Sequence, residues 1–426
     1  KAAEYIQDTR IVVGFVSTNS ISQGEQVGAL WMSLFQKFHL KIHFGHRTFT
    51  WESEARGKAH VHVVIIGFAA FDTALKNIYD YDGEKVVVST AKNISPYLVE
   101  GSDVAVLSRS KPICQVPECE YGNKPTDGGH LIIEEEDRKQ FLAENPDAKK
   151  YLRPLLCAEE YLYAIPRWCL WLKDASPSEI RNIEGIKKRV EAVRDFRLAS
   201  KKEPTRRKAD EPMLFAEIRQ PKSRYIVLPR HSSETRRYIP FGYFNPDVII
   251  HDSCTALADT TPFHFGVISS AMHMAWMRQV CGRLESRYRY SNKLVYNNFP
   301  WPQNVSEKQR AAVEEKAQAV LDARAEFMNV GDDVRSLTSP SPKKNQSLVT
   351  STPTKQCTLA DLYDPVAMPP RLHKAHEQLD RAVDLCYRKE PFTSDRQRVE
   401  YLFQLYEQLT APLLPATGKK RKNKTN

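Results

Sequence analysis

The sequence lacks features that mark several large protein classes. Its 426 residues include no apolar run near the roughly 18 residues of a membrane-spanning helix, and no signal peptide heads them. The glycine-rich phosphate-binding loop and the Gly-x-Ser-x-Gly elbow are also absent. A nuclease needs clustered carboxylates with a nearby lysine, and the pair Asp247 and Asp252 lacks that lysine. These absences argue against four classes: membrane proteins, phosphate-loop enzymes, serine hydrolases and nucleases.

The sequence has few cysteines at the close spacing of metal ligands. Most of the eight cysteines lie in apolar settings, which is typical of reduced, buried thiols in a cytoplasmic protein. Cys114 and Cys119 resemble half of a zinc site, but no second Cys/His pair at ligand spacing completes it. We therefore expect no metal site and a cytoplasmic location.

Positive charge, in contrast, is abundant and concentrated. The formal net charge is +10, and a hydrophobic content of 41% permits the cores of two or three domains. Residues 200–240 hold eleven Lys/Arg against five Asp/Glu, and residues 278–293 hold five against one. These two segments account for the whole surplus and favour a polyanionic partner such as DNA. RNA is an alternative polyanion, and a solvated basic face is the alternative to any binding.

Two strand-like runs, residues 11–19 and 59–68, lie near the start of the chain. Both are continuous and rich in β-branched residues, so we expect them to be fully buried strands of one sheet. Between them, apolar residues at helical spacing follow Gly24 and predict a helix that crosses the sheet. The start of the chain therefore has α/β character.

Four long motifs follow one another along the chain. They are Ser-Thr-Asn-Ser-Ile-Ser-Gln-Gly-Glu-Gln-Val at 17–27, His-Arg-Thr-Phe-Thr-Trp-Glu-Ser-Glu-Ala at 46–55, Tyr-Arg-Tyr-Ser at 288–291 with Tyr-Asn-Asn-Phe-Pro-Trp-Pro at 296–302, and Thr-Leu-Ala-Asp-Leu-Tyr-Asp-Pro at 358–365. In this order they resemble the MmeI-type adenine-N6 DNA methyltransferases over nearly the whole chain. The resemblance implies a parent enzyme of restriction-modification type that methylates double-stranded DNA with S-adenosylmethionine.

Two motifs of that family are missing from this sequence. One is the glycine-rich turn that holds S-adenosylmethionine, and the other is the Asn-Pro-Pro-aromatic motif that holds the adenine amino group. The sequence has Asn-Pro pairs at Asn145 and Asn245, but Asp follows each pair where the motif needs proline and an aromatic residue. Both pairs therefore indicate turns. Because both motifs lie upstream in the family, we expect a C-terminal fragment without catalytic or cofactor-binding residues, inactive alone and partnered by the N-terminal methylase half. A stand-alone DNA specificity module is the alternative.

The resemblance and the composition together predict three regions. Residues 1–100 form the C-terminal part of a Rossmann-like methyltransferase sheet, and residues 101–302 form an α+β target recognition domain. Residues 303–426 form an α-helical C-terminal region with a Ser/Thr/Pro-rich insertion at 336–354 and a basic tail at 419–424. Residues 265–281 have the spacing of one helix, which we expect Gly282 to end.

Candidate DNA contacts fall into three kinds. The flipped adenine of the parent would stack on Phe49 or Trp51, which alternate on an extended segment, although one ring alternatively caps the core. Glu234 and Arg236 would read bases, because carboxylates accept from cytosine and arginine donates twice to guanine. The alternative for Glu234 is a salt bridge that holds an arginine in place.

The third kind is contact with the DNA backbone. Basic, hydroxyl and aromatic side chains supply charge, hydrogen bonds and stacking area for this purpose, although the cluster after residue 278 alternatively packs between domains. The candidates are Arg47, Lys58, Lys222, Arg224, Ser232, Ser233, Arg237, Arg283, Arg287, Tyr288, Arg289, Tyr290, Ser291 and Lys293.

Overall fold

A computed structural model describes residues 1–51, 61–83, 85–284, 286–328 and 357–411. Its first region is a five-stranded sheet with helices against it, made of α1 (Ala2–Tyr5), β1 (Val13–Thr18), α2 (Glu25–Phe38), β2 (Lys41–Trp51), β3 (Val61–Ala69), β4 (Lys76–Asp82) and β5 (Lys85–Ala91). The strand order is β1-β3-β2-β4-β5, with β3 antiparallel to both neighbours and β2 parallel to β4. The predicted strands and the helix between them are confirmed.

The expected full burial of the first strand is wrong. β1 is an edge strand, and β3 is its one partner among the described residues. Phe15 and Val16 are 50% and 55% exposed, and the apolar residues just before the strand are exposed as well. Burial of a strand depends on what covers it, and the β-branched run alone cannot report that. β3, in the interior of the sheet, is buried over most of its length, although Val61 at its start is 40% exposed.

The second region holds three small sheets and several helices. In chain order its elements are β6 (Cys119–Tyr121), β7 (Ile132–Glu134), α3 (Glu135–Glu144), β8 (Leu152–Leu156), α4 (Ala158–Tyr163), β9 (Arg167–Leu170), α5 (Pro177–Asn182), α6 (Glu184–Leu198), α7 (Glu203–Arg207), β10 (Tyr225–Pro229), β11 (His231–Ser232), β12 (Gly242–Phe244), β13 (Ile249–Ile250), β14 (Cys254–Ala258), α8 (Pro262–Ile268), α9 (Ala271–Val280), β15 (Gly282–Leu284) and β16 (Arg287–Arg289). The sheets are β12-β10-β14-β6, β11-β16-β15 and β13-β8-β9-β7. The last of these packs with α5 and α6 around a core of its own.

The third region is helical, as predicted. It consists of α10 (Glu307–Ala325), α11 (Leu359–Leu362), α12 (Pro370–Tyr387) and α13 (Asp395–Thr410). Ser306 starts α10 with a reciprocal hydrogen-bond pair to Gln309, which satisfies two of the free amides at the helix terminus. Among the residues that the structure describes, no helix is long and apolar enough to cross a membrane. The predicted insertion and basic tail lie outside the described residues.

The helix predicted at 265–281 is two helices. α8 ends at Ile268 and α9 starts after Ser270, whose backbone is extended and whose hydroxyl donates to the carbonyl of Val267 over 2.7 Å. Both helices are buried, so the apolar residues of the sequence continue across the break and give no sign of it. Gly282 does not cap α9 in a left-handed conformation, because it begins β15. A Cβ atom on Gly24 would lie 3.0 Å from the Cα of Gly282, and the φ of Gly24 is +69°, so close approach and backbone conformation both favour glycine at position 24.

Candidate nucleic-acid interface

The two basic segments of the sequence meet in one small sheet. β11, which follows the strand β10, pairs with β16 so that His231 lies opposite Arg289 and Ser232 lies opposite Tyr288. β15 pairs with the other edge of β16 and brings Arg283 opposite Tyr288. The base-reading candidates and the arginine-tyrosine cluster therefore belong to a single surface, which sequence spacing alone did not predict.

Strand alternation separates the arginines of β16 from its tyrosine. Arg287 and Arg289 are exposed, whereas Tyr288 and Tyr290 are 4% and 1% exposed. Tyr290 is hydrogen-bonded to the buried His273, with 3.0 Å between its hydroxyl and Nε2. The predicted backbone contact by the two tyrosines assumes exposed rings, and the structure instead places both rings in the core. There they fix the strand whose arginines point outward.

The segment of Glu234 and Arg236 is a turn and not a strand. The amide of Arg236 donates to the carbonyl of Ser233 over 3.4 Å, and this closes the turn. Glu234 is partly exposed, while Arg236 is 8% exposed, with its Nη1 3.5 Å from the hydroxyl of the buried Ser232. The two candidates therefore do not point to one side. Ser233 is hydrogen-bonded to Thr235 across the turn over 2.8 Å.

The pKa of Glu234 is consistent with a carboxylate in a basic setting. Its partial burial opposes ionisation, but hydrogen bonds from its own amide and from Ser286, together with the charge of Arg283, hold the pKa below its usual value. Burial, followed by the charges of Arg230, Arg289 and Arg287, lowers the pKa of His231. Glu234 is therefore an ionised acceptor on a positively charged surface.

Two polar clefts join this surface to the first sheet. One of about 290 Å³ is lined by Arg47, Asp80, Arg278 and Arg283 among others, and Arg47 is paired with Asp80 over 2.9 Å. The other, of about 430 Å³, is lined by Arg230, Arg283 and Arg289 among others. Arg283 lines both clefts and donates from Nε to Gln23, over 3.1 Å, in the segment before α2.

An aromatic group lies at the end of the first sheet near the first cleft. The rings of Phe49 and Trp51 are 6.3 Å apart, and Trp51 is 48% exposed. Tyr81, which lines the cleft, comes within 4.7 Å of Phe49, although sequence reasoning did not select it. β2 and β4 are parallel neighbours in the sheet. The sequence alternation of Tyr79 and Tyr81 would predict a ring near Phe49 only if this strand pairing were known. The structure thus brings three rings together where two were expected.

The other backbone candidates are dispersed. Lys222 and Arg224 precede β10 and lie at the end of that strand opposite the turn, with Arg224 stacked on Tyr243 at 4.5 Å. Ser291 caps the π-helix Asn292–Tyr296 through the amide of Leu294, whereas Lys293 is exposed. Lys58 lies outside the described residues. Arg237 is exposed on the turn, and its Nη1 is 2.8 Å from Nε2 of His373 on α12.

Comparisons with known proteins identify the family of the chain. Three family models match: "MmeI, DNA-methyltransferase domain" at residues 1–80, "MmeI, target recognition domain" at 100–303 and "MmeI, C-terminal domain" at 345–414. DNA methyltransferase A of Bacillus subtilis (strain 168) is 36% identical over 408 residues, which are 96% of this chain and 43% of that protein.

A solved structure is also similar. It is that of the type IIL restriction-modification enzyme MmeI in complex with DNA, with 43% identity and a TM-score of 0.82 over 96% of this chain and 51% of that chain. The chain thus spans about half the length of the relatives it matches. With all three family models matched in succession and the fold shared, the chain belongs to the MmeI family.

Proposed function

We propose that this chain provides DNA target recognition for an S-adenosylmethionine-dependent adenine-N6 DNA methyltransferase. The observation that carries the proposal is the small sheet β11-β16-β15, which joins the base-reading turn to exposed arginines beside the clefts. Arg287 and Arg289 suit phosphates, and the ring group of Phe49, Trp51 and Tyr81 suits a flipped base. The domain division proposed is 1–100, 101–302 and 303–426; the matched target recognition model spans 100–303, whereas the methyltransferase model ends at residue 80 and the C-terminal model begins at residue 345.

We propose that the S-adenosylmethionine site of the enzyme lies outside this chain. The segment after β1 is the 3-10 helix Asn19–Ser22 and holds no glycine-rich turn, and the sequence has no Asn-Pro-Pro-aromatic motif. The role of this chain toward the cofactor is therefore indirect. In the proposed enzyme the methylase half holds the cofactor, and this chain alone neither binds it tightly nor transfers a methyl group.

The open edge of the first sheet supports a methylase partner. On that edge β1 has no strand partner among the described residues, and the apolar side chains of Phe15 and Val16 on this strand are exposed. Exposed apolar edge strands are templates for pairing with a further strand. We assign this edge to the N-terminal methylase half, whose strands would continue the sheet beyond β1.

Base reading would rest on the turn. The ionised Glu234 can accept from a cytosine amino group, and Arg236 can donate to both acceptors of guanine after leaving its long 3.5 Å contact with Ser232. In full-length enzyme, Glu234→Ala and Arg236→Ala should relax or change the preferred base at one position or at adjacent positions, at a cost of about 1 to 3 kcal/mol each. Paired changes at both residues should switch the target rather than only weaken methylation.

Sequencing of methylated positions in host DNA tests this assignment. Arg206→Ala, an exposed arginine on α7 outside the small sheet, is the matched control and should leave the target unchanged. Uniform loss of methylation at an unchanged target would remove both turn residues from base reading. It would leave them with a role in backbone contact or folding.

A further inference from the structure

The turn that carries Glu234 and Arg236 is anchored by a helix far away in the sequence. We call residues 231–240 the recognition segment. Its Tyr238 is 1% exposed, and the hydroxyl donates to Oδ2 of Asp380 on α12 over 2.6 Å. The ring of Tyr238 stacks on His376 with 4.1 Å between centroids and 17° between planes. The anchor is therefore both a buried charge-assisted hydrogen bond and a stacked pair.

The second oxygen of Asp380 contacts another part of the interface. Oδ1 accepts a hydrogen bond from the amide of Ala271 over 2.7 Å, at the first residue of α9. The far end of α9 leads into β15, one of the strands of the small sheet. One buried carboxylate thus joins α12, the recognition segment and α9, the helix that precedes the small sheet.

The same face of α12 contacts the segment at successive turns. His373, His376 and Asp380 are three and four residues apart and so lie on one side of the helix. His373 is 2.8 Å from Nη1 of Arg237, and burial lowers the pKa of His376 well below its usual value, so its ring is neutral beside Tyr238. A helix that only covered a core would need apolar side chains here.

The segment is also held by α9. Arg278 donates from Nη2 to the carbonyls of Arg236 and Arg237, and from Nη1 to Oδ2 of Asp395 on α13 over 2.9 Å. Two helices, α12 and α9, therefore make polar contacts to the segment. Movement of either helix would move the side chains that face the base edges.

We propose that Asp380 is a positioning residue for target recognition, which sets the place of the base-reading turn through Tyr238. This inference rests on the proposed function, because it gives the C-terminal helix a part in choosing the DNA sequence. Asp380 touches no DNA itself. Its effect passes through the hydrogen bond to Tyr238 and through the contact with Ala271.

A binding selection with randomised DNA distinguishes whether Asp380 positions the turn for base reading or only stabilises the fold. The full chain is incubated with a duplex library that contains a randomised segment, and bound and unbound sequences are counted. Loss of stability would lower binding to every sequence alike, because it reduces the folded fraction. Loss of positioning changes the ratio between sequences, since the turn no longer holds one geometry toward the bases.

Four variants make the comparison sharp. Tyr238→Phe and Asp380→Ala remove the hydrogen bond, whereas Asp380→Asn can still accept from Ala271 and can donate to the Tyr238 hydroxyl. The matched control is Tyr225→Phe, which removes an equally short hydrogen bond of 2.6 Å from the hydroxyl of the buried Tyr225 to the carbonyl of the half-buried Val248, at the far end of β10. Binding measured alongside on one fixed duplex reports overall affinity.

The expected result is a loss of preference without loss of general affinity. Tyr238→Phe and Asp380→Ala should reduce the preference at one position about fivefold or more, the lower bound for a bidentate base contact. Asp380→Asn and Tyr225→Phe should keep the wild-type preference. If Asp380→Ala fails to fold, Tyr238→Phe decides.

Four other outcomes overturn the inference. Unchanged preference in Tyr238→Phe, or a uniform fall in binding to all sequences, would make α12 a structural brace. An Asp380→Asn variant as unselective as Asp380→Ala would contradict the geometric explanation. A wild-type chain that enriches no sequence at all would instead remove the proposed function, and this inference with it.

Discussion

Replacing Asp380 by asparagine should stabilise the protein at neutral pH, and the gain should shrink in acid. Burial raises the pKa of Asp380 from 3.8 to about 6, against the hydrogen bonds from Tyr238 and Ala271 and the charge of Arg398. The folded state therefore binds the proton more tightly than the unfolded state. Stability must then fall as pH rises from about 4 to about 6, and the cost is complete above the folded pKa.

The size of the effect follows from the shift. About two pKa units correspond to about 3 kcal/mol of unfolding free energy at pH 8, and about half of that cost is relieved at pH 5. Asparagine does not titrate, so it avoids this cost at every pH. The stability difference between Asp380→Asn and wild type should therefore decrease by about 1.5 kcal/mol from pH 8 to pH 5.

Urea denaturation at the two pH values measures this difference, and any constant effect of the amide cancels in the comparison. Asp174→Asn, at an exposed aspartate, is the control and should show the same difference from wild type at both pH values. A gain that stays constant or increases toward pH 5 would refute the argument. It would mean that Tyr238, Ala271 and Arg398 stabilise the ionised carboxylate more than burial opposes it.

Three further results are expected. Arg287→Ala with Arg289→Ala should weaken binding to all DNA sequences alike and flatten the salt dependence by about one unit per lost phosphate contact, whereas removal of the two arginines of α7 should leave the slope unchanged. Val16→Asp should prevent association with a separately supplied methylase half in a pull-down assay, while Val87→Asp, on the opposite edge strand, should not. Calorimetric titration of the chain alone should show no micromolar affinity for S-adenosylmethionine, and such affinity would overturn the assignment of the cofactor site to the methylase half.

Local pattern determined much of the fold. Apolar residues at helical spacing predicted α2, because helix period and amphipathic burial are properties of the segment itself, and the region that holds α10, α12 and α13 was predicted to be helical as a whole. The pattern failed where burial depends on neighbours. β1 has the composition of an interior strand, yet its exposure is decided by the absence of a second partner among the described residues.

The sequence by itself determined which chemical groups the interface contains, and the tertiary structure decided how they are arranged. Charge surplus and the alternation at 287–290 predicted arginines for phosphate, but only strand pairing shows which side chains of β16 face the core. The link from Tyr238 to Asp380 joins residues 142 positions apart in the sequence. The sequence around Asp380 does not indicate that Tyr238 is its partner, because long-range packing alone determines which polar groups are buried together.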